Sequence, residues 1–270
     1  MRKVIAAVLF LFIATSAFAE EKKEEASHRL EPIVVTPSRE EESYLSAGKS
    51  FSIITEDQIK RSNARTIPEL LKGEVGIEVR DYIGNGKTAQ VDLRGFGETS
   101  VSNTLVMIDG RRTNQIDISG TDWTQISIDS IERIEIVRGA QSVLYGDNAV
   151  GGVINIFTKK GKGKKPGAGF GFKKGSYGYT SYGGSISGGS DFLDYYAGLG
   201  YYYTKGYRVN NDLEVGDFNN TITMKPADQF HIKLSSGYHK DWYGLPGALS
   251  QADLRRVGLR GSIYPNDRAK

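Results

Sequence analysis

No cysteine occurs in the chain, which excludes disulfides, thiol catalysis and cysteine metal centres. Histidine is scarce: His28, His231 and His239 stand far apart and lack zinc-ligand spacing. Neither charge sign dominates, with 35 Lys plus Arg against 32 Asp plus Glu, so no strongly basic domain points to nucleic acid. Long apolar runs are missing too. The run Val4 to Ile13 falls short of the roughly 20 residues that a membrane-spanning helix needs. Any insertion into a bilayer must then use a closed sheet. There is no phosphate-loop pattern, and the Asp, Glu and His residues form no convergent catalytic set. The chain does not read as an enzyme, and no cofactor or metal is expected.

What is present is glycine and tyrosine, 33 and 15 of 270 residues. In short alternating runs these favour strands and tight turns over a helical core. The length suits roughly two domains. Residues 1–19 form an export signal: Arg2 and Lys3, an apolar stretch, then Ala17-Phe18-Ala19 as a small-x-small cleavage site. Residues 20–43 follow as a periplasmic segment. Its first part, Glu20 to Ser27, is charged, lacks apolar periodicity and is expected to be disordered. Next comes Glu31-Pro32-Ile33-Val34-Val35-Thr36-Pro37, a β-prone run bracketed by prolines. By composition it is an ordinary edge strand of the next domain; an isolated strand could also join a partner's sheet.

Residues 44–160 read as a compact α/β domain. Phe51 to Ile54 is a strand, and Thr55-Glu56-Asp57-Gln58 opens a helix as a capping box. Thr66-Ile67-Pro68-Glu69 opens a second helix, with proline in the first turn. Strands follow at Ile77 to Arg80, Gln90 to Arg94, Thr104 to Ile108, Ile131 to Val137 and Gly152 to Thr158, with a tight turn at Asp109-Gly110. Loops fall at Tyr82 to Lys87, Phe96 to Ser102 and Thr113 to Gln125. The basic stretch Lys159 to Lys165 is a solvated hinge.

In residues 161–270 the pattern changes to segments of about ten residues with alternating character, the signature of a transmembrane barrel. Leu193, Tyr195, Ala197, Leu199, Tyr201 and Tyr203 alternate with Asp194, Tyr196, Gly198, Gly200, Tyr202 and Thr204. Phe230, Ile232, Leu234 and Tyr238 alternate with His231, Lys233, Ser235 and His239. Val257, Leu259 and Ile263 suggest a further strand, and Tyr264 to Asp267 a periplasmic turn. A soluble sandwich also alternates, but the export signal favours the barrel. About six strands are expected, with short and long connections in turn.

Several motifs then converge. Val91-Asp92-Leu93-Arg94-Gly95-Phe96, Leu105-Val106-Met107-Ile108-Asp109-Gly110, Ile131 to Gly139, Val143-Leu144-Tyr145-Gly146 and Gly151 to Ile156 occur in order. Together they resemble the plug of TonB-dependent outer-membrane receptors, and their form with Ile33-Val34-Val35-Thr36 looks nearest to cobalamin receptors. The implied fold is an α+β plug domain followed by an antiparallel transmembrane β-barrel, incomplete here because about 22 strands surround a plug. The resemblance makes Glu31, Pro32, Ile33, Val34, Val35, Thr36 and Pro37 a TonB box. It makes Arg94 and Arg138 candidate latches to acidic residues of the barrel wall.

By position, Tyr82, Asn85, Asn114, Gln115, Asp117 and Trp123 are candidate ligand contacts on outward plug loops. Asn210, Asn211, Asp212, Glu214 and Asp217 form a polar outer loop; oxygen ligands there could hold calcium, although a solvated loop is the simpler reading. The implied function is import of a scarce nutrient across the outer membrane of a Gram-negative-type bacterium. The partners would be TonB with its inner-membrane complex, outer-membrane lipid, and cobalamin or a ferric siderophore. A signalling receptor or a non-transporting fragment are the alternatives, and a plain porin would need no plug.

Overall fold

The computed structural model describes residues 33–34, 42–43, 50–161, 165–227 and 229–269. The export signal, the charged segment after it, and Glu31, Pro32, Val35, Thr36 and Pro37 lie outside the described residues. Strand β1 (Ile33–Val34) pairs antiparallel with β2 (Glu42–Ser43). Ile33 and Val34 thus lie in a two-stranded antiparallel pair.

The α/β domain starts with β3 (Phe51–Thr55) and α1 (Glu56–Arg61). The Thr55 capping box is formed at both ends: Gln58 N–H donates to Thr55 Oγ1, and Thr55 N–H donates to Gln58 Oε1 at 2.8 Å. Helix α2 (Ile67–Leu71) is capped on one side only. Thr66 Oγ1 accepts from Glu69 N–H, but the Glu69 carboxylate accepts from Arg65 N–H and Nε instead of Thr66. A neighbouring guanidinium outcompetes a backbone N–H for a carboxylate. Strands β4 (Ile77–Arg80) and β5 (Gln90–Leu93) form a separate pair. Strands β6 (Thr104–Ile108), β7 (Arg111–Arg112), β8 (Ile131–Arg138) and β9 (Gly152–Thr158) join β3 in a five-stranded sheet ordered β3-β8-β9-β6-β7. Only β6 and β9 run parallel. Asp109 and Gly110 both take positive φ, which closes the β6–β7 hairpin.

The core lies where this sheet meets the two helices and the β4–β5 pair. Ile54, Ile67, Leu71, Leu93, Ile134, Ile136, Ile154 and Ile156 are buried in one cluster. Strand β9 is buried along its whole length, as expected of a strand covered on both faces.

After residue 165 the chain forms β10 (Gly167–Lys174), β11 (Thr180–Gly189), β12 (Leu193–Thr204), β13 (Leu213–Ala227), β14 (Phe230–Gly244) and β15 (Arg268–Ala269), a six-stranded antiparallel meander. Register places Tyr202, Val215 and Asp241 on one face, as it does Gly200, Asp217 and His239. This inner face carries Lys173, Ser181, Tyr196, Gly198, Thr221 and Ser235 and meets the α/β domain. The opposite face exposes Phe170, Phe172, Tyr182, Leu199, Phe218 and Leu234. Charged, small and hydroxyl-bearing side chains, with a few buried rings, on the inside and exposed apolar ones on the outside are the division expected of a barrel wall.

The long connection after β14 departs from expectation. Val257 to Ile263 is not a strand: α3 (Gln251–Val257), capped by Ser250 and Asp253, ends at Val257, and Gly258 at φ 73° begins the turn and coil that follow. A reciprocal capping box fixes the start of this helix. Tyr264 to Asp267 therefore lies within the same long connection as α3, at the end of the sheet opposite a short turn.

Gly152 shows how tightly the five-stranded sheet is packed. A Cβ there would strike the Val137 carbonyl and come within 2.7 Å of Leu93 Cδ1. We predict that Gly152→Val destabilises the α/β domain by about 3 kcal/mol, the usual scale of overpacking. Faster hydrogen exchange in β8 and β9 would report it, and unchanged protection would refute it.

Candidate functional site

Three loops gather at one end of the α/β domain, and each is held by its own polar contacts. Asp81 accepts from Gly84 and Gly86 N–H, both at 2.7 Å, which folds residues 81–87 into a tight loop. Asp92 does the same for Phe96 and Gly97 N–H. Asn114 bridges to Thr121, and Asp117 accepts from Ser119 N–H at 2.9 Å. The loops touch one another: Tyr82 Oη donates to Glu98, and Asn114 Nδ2 donates to the Val101 carbonyl. Gly84 packs near Asn211 of the β12–β13 connection. This end therefore faces the long connections of the sheet.

The residues expected to contact ligand divide here. Tyr82 is 62% exposed, and Gln115 and Asp117 are exposed beside it. Asn114 is occupied structurally: Oδ1 accepts from Val106 N–H at 2.7 Å, and Nδ2 donates to the Thr104 carbonyl. Asn85 is buried and accepts from Lys87 N–H. Trp123 is 5% exposed, and its indole N–H donates to the Ala89 carbonyl. It completes the core and offers no ring face to a ligand. Sequence reasoning missed Ile116 and Ile118, which project fully from the loop tip. Their signal was available: two large apolar residues in an otherwise polar loop.

Arg94 takes a positive φ, is exposed, and lies near Gly139. Arg138 finds its partners within the α/β domain: Nη2 donates to Ser52 Oγ at 3.0 Å and lies 3.7 Å from Glu74 Oε2. Among the described residues, Glu74 is the carboxylate nearest its guanidinium.

The link between the two parts of the molecule is a different cation. Lys87 Nζ donates to both Asp122 of its own domain and Asp241 on β14. All three side chains are largely buried, Lys87 at 8% exposure. Burial opposes the lysine charge, but the two carboxylates outweigh it and hold Lys87 above the ordinary lysine value. The Tyr243 ring adds a cation–π contact at 5.0 Å. His239 Nδ1 bonds Asp217 at 2.6 Å, and its Nε2 lies 3.3 Å from Thr124 Oγ1. Asp122, His239 and Asp241 converge within 4.8 Å, and the cation seated between the two carboxylates is the ammonium. Further polar contacts cross the same seam: Ser130 to Asn219 at 3.1 Å, Lys173 to Asp129 at 2.8 Å, and Lys233 to Asp109 at 3.6 Å.

The polar outer loop forms no oxygen cage. Asp212 pairs with Arg268, Glu214 accepts from Tyr201 Oη, and Asp217 bonds His239. Glu214 and Asp217 lie on opposite faces of β13. Asn210 Nδ2 donates to the carbonyls of Tyr264 and Asp267. The loop is spent on holding the two long connections together.

Comparison with known proteins places this geometry. Residues 45–153 match the family model of the TonB-dependent Receptor Plug Domain. The chain is 40% identical over 129 residues to the vitamin B12 transporter BtuB of Vibrio cholerae, a match covering 48% of this chain and 21% of that protein. It is 30% identical to the BtuB of Photobacterium profundum over 99% of this chain and 45% of that one. The chain thus spans less than half the length of these relatives. Among solved structures, the ferripyoverdine receptor of Pseudomonas aeruginosa superposes with a TM-score of 0.67 at 16% identity, covering 78% of this chain and 28% of that one. The unliganded ferric citrate transporter FecA gives 0.63 at 22% identity, covering 82% of this chain and 35% of that one. These two establish the shared fold.

Removing one partner of the buried lysine site leaves a charge uncompensated. Lys87→Met is predicted to cost about 3–5 kcal/mol, and Lys87→Met with Asp241→Asn together less than the sum of the two alone. A denaturant double-mutant cycle on the detergent-solubilised protein measures this; additive losses would contradict it. The pH dependence follows from the raised lysine value. The stabilisation is fully present below about pH 10.4 and is lost as pH rises through the folded value. Loss of this coupling on acidification between pH 9 and 7, about two units on the neutral side, would contradict the assignment.

Proposed function

The chain carries the plug and opening wall strands of a TonB-dependent receptor of the Gram-negative outer membrane, and from that premise we propose that it is the gate and coupling part of an importer for cobalamin. The plug fills the lumen. Ligand docks from outside on loops 81–87, 96–103 and 113–122. TonB captures the N-terminal strand and pulls, and the plug rearranges to let the ligand through. No nucleotide is needed at the receptor, because the inner-membrane complex supplies the energy.

The observation that carries this reading is the polar seam between plug and wall. The crossing contacts named above are ion pairs and hydrogen bonds, and the buried apolar residues of the wall's inner face, Tyr196, Leu213 and Val215, stand outside the plug's own apolar cluster. Such a seam holds a plug in place and can be broken without exposing a large apolar surface. The pairing of β1 with β2 supports the coupling role, since a strand at a sheet edge offers free backbone groups to an added strand.

Cobalamin is favoured over a ferric siderophore by the chemistry of the loop end. Its exposed groups include Tyr82, Glu98, Gln115, Ile116, Asp117 and Ile118; Lys87 is buried, and Arg80 beside Tyr82 is paired with Glu78. A surface with apolar tips, an aromatic ring and cations already held by carboxylates suits a large, nearly neutral ligand with broad apolar faces. An anionic iron chelate would call for arginine or lysine there. The curated relatives at 30–40% identity are named as vitamin B12 transporters, which agrees.

Two outcomes follow. Val35→Pro removes a backbone donor from the coupling strand, so uptake should fall to background while cobalamin binding to intact cells is unchanged; normal uptake would refute the coupling role. Ile118→Asp should weaken cobalamin binding about tenfold, the scale of losing one buried apolar contact and placing a charge in its stead. Equal affinity in a titration of the full-length receptor, or tighter binding of a ferric chelate than of cobalamin, would refute the ligand.

A further inference from the structure

The outward face of the sheet ends in a cationic cavity that the import reading does not use. The cavity holds about 470 Å³ and is lined by Tyr203, Lys205, Tyr207, Arg208, Asp212, Arg260 and Arg268 among others. Four of these are cations and one is a carboxylate. Among the described residues only Arg268 has a carboxylate partner, Asp212. Arg208 is fixed by carbonyls alone: Gly247 at 2.6 Å, Gly261 at 3.0 Å and Pro246 at 3.2 Å. Arg260 donates through Nε to the Tyr207 carbonyl at 3.1 Å, and its guanidinium lies over the Tyr207 ring. These contacts orient the guanidinium groups without cancelling their charge.

Strand register sets the direction in which the cavity opens. Tyr203 is on the same face of β12 as Leu199 and Tyr201, the face turned away from the plug. Arg268 pairs with Gly244, which shares the outward face with Trp242. Just below, Tyr182 stacks on Tyr201 at 4.8 Å, and Lys240 Nζ lies 5.3 Å from the Trp242 ring. Aromatic rings above an apolar face mark the level of a membrane interface. Cations just beyond such a belt stand at headgroup depth, where lipid phosphates are.

We propose that this cavity binds the phosphate-bearing headgroup of a lipid in the outer leaflet, with Lys205 and Arg260 as the main anion contacts and Tyr207 as its floor. Guanidinium groups match phosphate geometry, and the hollow is open on one side, as a site for the headgroup of a lipid whose chains stay in the membrane must be. A soluble phosphate would meet the same cations, but the floor is continuous with the lipid-facing wall, which favours a lipid. The occupant would brace the two long connections that Arg208 and Asn210 tie together. The proposal rests on the barrel reading and on the long connections facing outward.

The test uses the full-length receptor in nanodiscs containing a bis-phosphorylated outer-leaflet glycolipid, with bound lipid counted by native mass spectrometry after transfer to detergent. Wild type should retain the lipid, and Lys205→Gln with Arg260→Gln should retain at least about tenfold less, as expected from losing two charge-assisted contacts. The Arg268–Asp212 pair and the Arg208 contacts are left intact, so folding is preserved; the unfolding midpoint verifies this. Equal retention by wild type and variant overturns the proposal, as does equal retention of the dephosphorylated lipid. Displacement by millimolar inorganic phosphate would make the site one for soluble anions and overturn the lipid assignment. Protease access to residues 245–267 on intact cells tests the orientation separately; cleavage only from the periplasmic side would sink the barrel reading whatever the lipid result.

Discussion

A buried ammonium shared by carboxylates from two parts of the molecule is the contact on which this architecture turns. Lys87 and Asp122 belong to the plug, and Asp241 belongs to the wall. Taking three charged groups out of water is costly, and their mutual attraction offsets it only when all three are in place. The seat is therefore specific: it defines where the plug sits against β14 and penalises any slip. Around it the wall contributes both rings and close-approach positions: Tyr243 lies against the ammonium, and a glycine stands two residues from Tyr202. Gly200 faces Ser127 so closely that a Cβ would lie 3.2 Å from it, which lets the plug approach the strand backbone.

The same choice of contacts fits the proposed movement of the plug. An apolar seam of this size would resist any pulling force and would expose a sticky surface once opened. A seam of ion pairs and hydrogen bonds exchanges its partners for water when broken. Within the plug the logic is reversed: Ile54, Leu71, Leu93, Ile134 and Ile156 form a continuous apolar core. Rigidity inside and polarity at the boundary together suit a body that shifts or partly opens without dissolving altogether.

Much of this was legible from residue patterns. The two-residue alternation of β12 and β14 gave the facing of each side chain, because a strand permits only two directions. The Thr55 capping box and the Asp109-Gly110 turn are local devices and formed as their residues dictate. Non-local features were not legible. Nothing in the sequence links Lys87 to a residue 154 positions away, although Asp241 shares the inward parity of His239 and needed a cation. Trp123 read as a loop aromatic because its neighbours are polar; only the fold shows that Ala89 receives its N–H. The Arg138–Glu74 proximity, 64 positions apart in the chain, was equally out of reach of residue patterns. The alternation of residues 257–263 was too short to fix a strand, and the helix just before it begins at a local Ser250–Asp253 capping box.

The central claim is that the plug must leave its seat on the wall for ligand to pass. The absence of native cysteine in this chain permits a direct measurement: Ser130→Cys and Asn219→Cys, which meet across the seam and leave the lysine site intact, are joined in the assembled receptor by a short thiol-reactive crosslinker with a cleavable bridge, and cobalamin binding and uptake are followed before and after cleavage. The account predicts normal binding, uptake reduced to background while the link is intact, and recovery once it is cut. Undiminished uptake through the crosslinked receptor would contradict it.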